Sequence, residues 1–236
     1  TENHLSFLKN LIGIMCSDTN PNEPILKLPE AITAAIKATY ENVSDLGQGK
    51  PKPYKAGVDL EVDEAIEKYA IPLDRHTSWW EIVDALFAKG DLRLAGRAQR
   101  FAVPLFLDFI QTCTADKDLQ AKYGDLHVQQ MPLISYINLS VTESTKIWPV
   151  LNAPSTFDFG RAKIISLDLV EVTQGKDPAS IRQATAMYLL ARFKTTQHFI
   201  FSEDDVRSAD WYLRKDYVQF HLERAEQIKR EVKISV

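Results

Sequence analysis

Gly160-Arg161-Ala162-Lys163-Ile164-Ile165-Ser166-Leu167-Asp168-Leu169-Val170 is the stretch on which the reading of the fold turns. From Lys163 to Val170 it is rich in β-branched and aliphatic residues and almost uninterrupted. That is the pattern of a strand buried on both faces. Downstream, Asp177 is placed to cap a helix and Pro178 to open it. The helix so predicted has no charge between Arg182 and Arg192, so much of its circumference should be buried. A long charged helix follows over roughly 204–230. Val232-Lys233-Ile234-Ser235-Val236 then alternates like a second strand. Two strands joined by helices form a βα-type unit, and such strands need parallel neighbours. Residues 161–236 therefore read as a partial α/β segment whose remaining strands lie elsewhere. With Thr1 in place of an initiator Met, both ends read as cut. The alternative is that the two segments pair as a small flap on the rest of the chain.

Upstream of residue 161 the chain reads as a helical lobe, 1–160. Leu5, Leu8, Leu11, Ile12 and Met15 repeat at helical spacing over 2–16. A turn-rich break, Ser17 to Pro24, separates them from a helix opened by Pro29 and carrying Ala31, Ala35, Ile36 and Tyr40. A Gly- and Pro-rich loop spans 44–57, and helix resumes at 61–69. Ser78 and Glu81 have the spacing of a capping box, in which each side chain satisfies the other residue's amide. They open a helix that turns Trp79, Ile82, Val83, Leu86 and Phe87 to a core and ends near Gly90. The stretch 91–113 reads as helix bent at Pro104, which lacks an amide donor. A short helix at 116–122 stops near Gly124, and 126–150 divides between short helices and loops. The fold class is thus mainly α, with a helical lobe followed by the edge of an α/β sheet.

Composition narrows the function. The 236 residues carry a net charge of -4, with a pI near 5.8. Nucleic-acid binding rests on an excess of Lys and Arg against phosphate, and none is present. Cys16 and Cys113, each in an apolar helical context, read as small buried thiols in a reducing compartment. The most apolar run, Phe101 to Leu107, stops at Asp108, far short of the length that crosses a bilayer.

Candidate chemical residues each carry two readings. Gly47-Gln48-Gly49-Lys50-Pro51 resembles a phosphate loop in part. Pro51 replaces the required Ser or Thr, and neither flank fits, so it reads as a flexible loop. Asp168, at the end of the expected strand, either holds magnesium as an acidic strand-end residue does or caps the next turn. Glu171 shares that choice. Of His4, His76, His127, His198 and His221, none sits at helical spacing from another His or Cys. His76 is either a cleft residue beside Trp79 and Trp80 or a helix-start residue. Arg182, Arg192 and Arg207 are either fingers toward a neighbouring subunit's phosphate or surface charges. Of the pair Trp79-Trp80, one should enter the core and the other emerge. No Gly-x-Ser-x-Gly elbow occurs. A hydrolase using Asp168 would need a distant His to converge on it. No complete catalytic site, no metal site and no cofactor site is expected.

The order of features, from helical lobe through Gly160–Leu169 to a buried helix and a long helix leading into a strand, resembles the type IV secretion and conjugation ATPases of the VirB/TraC type, in the Dot/Icm type IVB branch. The resemblance covers the last third of the chain, with Ile228 to Val236 similar to the approach to a Walker B strand. It implies a fragment lying between the Walker A and Walker B motifs of a parent ATPase. ATP and magnesium would be bound by the parent. Its partners would be other subunits of a hexamer and other secretion components, at the cytoplasmic face of the inner membrane. Neither the Walker A Lys nor the Walker B acids occur here, so no catalytic residue carries over. Asp168 and Glu171 match a family strand motif of structural or auxiliary role. A self-contained helical adaptor or effector without enzyme activity is the alternative.

Overall fold

The computed structural model describes residues 2–17, 25–128, 130–155, 166–172 and 174–196, and within the stretch beyond them 219, 220, 222, 223, 226, 227 and 230. Among these residues the protein is mainly helical, as the periodicity requires. Its one sheet there is a two-residue hairpin, His127–Val128 paired antiparallel with Met131–Pro132.

Two hydrophobic cores organise the helices. The first is built by α1 (Glu2–Met15), α2 (Leu28–Asn42), α6 (Phe106–Ala115), α7 (Lys117–Tyr123) and α8 (Leu133–Ile147). Each turns an apolar stripe inward: Leu11, Ile12 and Met15 from α1, Ala31, Ile32, Ala35 and Ile36 from α2, and Leu133, Ile134, Ile137 and Val141 from α8. Phe109, Cys113, Leu119 and Tyr123 close it. α9 (Pro178–Thr196) lies antiparallel along α1. Phe193 stacks on Phe7 with ring centroids 3.9 Å apart, and at the other end Arg182 donates to Ser17 O at 3.4 Å.

The second core is inserted between α2 and α6. It contains α3 (Leu60–Lys68), α4 (Trp79–Ala88) and α5 (Leu92–Ala102). Val62, Ala65 and Ile66 meet Trp79, Ile82, Val83 and Leu86, with the small face Leu94, Ala95, Ala98 and Ala102 of α5 against them. The small residues let α5 approach closely while Trp79 supplies the bulk, its ring 5.0 Å from Tyr54 and 4.7 Å from Phe101. The capping box forms as the sequence predicts: Ser78 Oγ accepts from Glu81 N at 3.2 Å, and Glu81 Oε2 accepts from Ser78 N at 2.6 Å.

Three expectations change. The helix bent at Pro104 is two helices, α5 and α6. The residue before a proline is pushed out of the helical region, and Val103 is extended at φ -73°, ψ 156°. The ambiguous stretch 126–150 resolves into the hairpin and α8. The strand expected over 163–170 is absent where it can be checked. Residues 163–165 lie outside the described residues, 166–169 have no regular structure, and Val170–Val172 is a 3-10 turn. The cause is local: Asp168 Oδ1 accepts from Val170 N at 2.9 Å, folding the chain into a turn. Val170 is 60% exposed, so this segment is not covered on both faces. The expected helix over 204–230 is seen only as the helical residues 219, 220, 222, 223, 226, 227 and 230, and the strand at 232–236 lies outside the described residues.

Candidate functional site

A polar junction lies where the inserted unit joins the main body. The chain enters through 50–53 and leaves through 103–105. Lys52 ties the two passages: its Nζ lies 2.6 Å from Asp108 Oδ2 and donates to Val103 O at 3.0 Å. Asp108 Oδ2 also accepts from Leu105 N at 2.6 Å, so one half-buried carboxylate holds the start of α6 and the lysine together. The entering passage is fixed to the start of α4 and the residues before it, by Trp79 N donating to Lys52 O at 2.9 Å and Tyr54 N donating to Thr77 O at 2.8 Å. Sequence reasoning missed this junction. An isolated lysine in a loop carries no signal of a partner 56 positions away, but Asp108, three residues beyond Leu105, has the offset of a helix-start acceptor.

A second ionic group clamps α3 to α5. Arg97 Nε lies 2.6 Å from Asp59 Oδ2, its Nη1 lies 2.6 Å from Glu61 Oε1, and Arg93 Nη1 lies 2.7 Å from Glu61 Oε2. Asp59, nearly buried, is also the cap of α3, accepting from Val62 N at 3.3 Å. Tyr54 donates to Asp63 Oδ1 at 2.6 Å, and burial with the Asp63 carboxylate pushes the phenol well above its ordinary range. These groups neutralise one another and are spent on architecture.

Among the described residues, those singled out in the sequence do not converge. Asp168 serves the turn described above, and Glu171 is exposed within the 3-10 turn. His4 stands edge-on to Phe193, His76 Nε2 accepts from Arg75 Nε at 2.8 Å, and His127 Nδ1 lies 3.1 Å from Asp125 O. His198, His221 and Arg207 lie outside the described residues. Arg182 is the tie to α1, and Arg192 is exposed. The loop at Gly47–Pro51 follows a helix, not a strand. One of its amides already serves that helix, Lys50 N donating to Asn42 O at 2.8 Å, and a side chain at Gly49 would strike the carbonyls of Ser44 and Glu41. Trp79 is buried while Trp80 is half-buried against the same core.

Cys16 and Cys113 are both buried in the first core, 0% and 1% exposed. Burial pushes both thiols up to about 12, which keeps them protonated and unreactive at neutral pH. Among the described residues no group of three or more His, Cys, Asp or Glu could hold a metal ion. No described helix is long and apolar enough to cross a membrane. Comparison with protein-family models, with curated proteins and with solved structures finds no match to this chain.

Proposed function

We propose that this chain acts by contacting protein partners, as a non-catalytic portion of a cytoplasmic ATPase that energises type IV secretion, most like DotO of the Dot/Icm apparatus. In this reading the helical lobe supplies subunit and partner contacts within a hexamer at the inner membrane. ATP and magnesium are then bound by Walker motifs that this chain does not contain. The observation that carries the contact role is the way the polar groups are used: Lys52–Asp108 and Asp59–Arg97–Glu61 are spent holding helices together. Large apolar side chains meanwhile stand outside both cores, including Ile147 at 65% and Val150 at 66% exposure. The order of helical lobe, the 160–169 stretch, α9 and the later helical residues supports the ATPase setting.

The turn at 168–172, where that setting needs a strand, favours a second reading: a self-contained helical adaptor or effector. The size and location of the native protein separate the two. An antibody raised against this chain, used on fractionated source cells, should detect a band far larger than 26.8 kDa that pellets peripherally with the inner membrane. A soluble band near 26.8 kDa would end the ATPase reading and leave the adaptor.

A further inference from the structure

The outer face of α9 departs from what its sequence predicts. An uncharged run from Gln183 to Ala191 leads to the expectation of burial around most of the helix, yet Ala186 is the one described residue of α9 that is fully buried. Phe193 and Arg182 fix the inner face on α1. About 100° round the helix from that face, at intervals of three and four, stand Asp177, Ile181, Thr185, Tyr188 and Arg192, all exposed. Ile181 is 55% and Tyr188 56% exposed. Such spacing makes one continuous stripe, with apolar and small residues in the middle and opposite charges at its two ends.

We propose that this stripe pairs with the same stripe of a second copy of the chain, the two α9 helices running antiparallel. The stripe is self-complementary. In a two-fold interface every residue meets its counterpart reflected through the axis. With the axis between Ala184 and Thr185, Ile181 and Tyr188 are equally far from it on opposite sides, so each packs on the other of the second copy. Asp177 and Arg192 are likewise equidistant, so each carboxylate faces a guanidinium at both ends of the pair. The small side chains of Ala184 and Thr185 sit at the crossing, where backbones approach most closely. Thr185 Oγ1 donates to Ile181 O at 2.8 Å, so burial of that hydroxyl leaves no donor unpaired. Asp177 accepts from the Ala179 and Ser180 amides at 3.0 and 3.1 Å, which fixes a negative charge at the helix start. Antiparallel pairing sets that start beside the other copy's C-terminal half, as the two helix dipoles favour.

A parallel arrangement would set Asp177 against Asp177 and Arg192 against Arg192, so the charges select the antiparallel one. A single helix pair buries less than the roughly 1,600 Å² of a standard interface, so pairing is weak. The inference is independent of the ATPase proposal, because a two-fold contact closes on itself and requires no ring.

Sedimentation velocity on the 236-residue chain over a range of concentrations tests it. The average mass is expected to rise from 26.8 kDa toward twice that value. Tyr188→Asp places a carboxylate in the contact twice and should weaken association about a hundredfold. Asp177→Arg and Arg192→Asp should each weaken it about five- to tenfold. Because Asp177 also caps α9, the decisive arm is an equimolar mixture of these two variants. Each copy then supplies the charge the other lacks, and a heterodimer should form with at least the wild-type affinity less the lost cap. Three results would overturn the proposal: a wild-type chain monomeric up to about 1 mM, a dimer indifferent to Tyr188→Asp, or no recovery in the mixture.

Discussion

The two cores of this molecule solve the packing problem in opposite ways. The inserted core is assembled from Tyr54 to Ala102, a single unbroken stretch, and relies on one large aromatic seated on a face of alanines. The main core draws on residues as far apart as Leu11 and Ala186, and spreads its bulk over many Ile and Leu side chains and three aromatics, Phe109, Tyr123 and Trp148. Local contacts close short loops and form early, whereas distant ones must bear the loop entropy first. The inserted unit should therefore behave as a cooperative unit of its own, joined to the body through Lys52 and Asp108. In addition, Asn42 Nδ2 donates to Thr112 Oγ1 at 3.3 Å where the inserted stretch leaves the body and returns to it.

The largest effect expected is from Trp79→Ala, which empties the centre of the inserted core at a cost of about 3–5 kcal/mol. That is enough to unfold a unit of this size. Circular dichroism should then show the loss of three helices while thermal melting of the remainder persists. If melting of the whole chain shifts as one, the two cores are a single cooperative unit. Ile137→Ala in the main core should cost about 2–5 kcal/mol and lower the stability of the body, which a denaturant titration followed by tryptophan emission would read.

Next in size is Lys52→Met, which leaves the half-buried Asp108 carboxylate without its cation and should cost about 1–3 kcal/mol. The two cores should then melt further apart in scanning calorimetry. Convergence of the two transitions would contradict the joining role given to this pair. Ser78→Ala removes one half of the capping box and should cost about 1 kcal/mol, confined to the inserted unit.

The buried thiols give a pH test specific to the main core. Their folded values near 12 lie above the ordinary 9.0. Unfolding therefore releases protons between pH 9 and 12, and stability falls as pH rises through that window. Denaturant titrations should show a decline that Cys16→Ala with Cys113→Ala flattens.

Much of the helical lobe was legible because its signals are local. The apolar spacing of α1, the proline opening α2 and the Ser78–Glu81 box depend on residues within a turn or two of one another. α8 was obscured because its inner stripe includes buried Ser144 and Thr145, whose polarity breaks the apolar pattern. At Pro104 the sequence predicts a bend because the missing amide is evident, whereas the constraint on Val103 is the stronger effect and ends the helix. In the described part of the strand expected at 163–170, residues 166–170, the departure has a related reason: a short apolar run satisfies strand statistics, but the Asp168 side chain offers the backbone a nearer partner. For the candidate site residues that the structure describes, the sequence shows identities but no convergence. The junction of Lys52 and Asp108 is set by tertiary structure and has no local signature.

Native-state hydrogen exchange, followed by mass spectrometry on the wild type and on Trp79→Ala, tests the two-core account most directly. The account predicts that amides of α3, α4 and α5 lose protection together in the variant, while those of α1, α2 and α8 keep wild-type protection. Equal loss of protection across both sets would contradict it and make the molecule one cooperative unit.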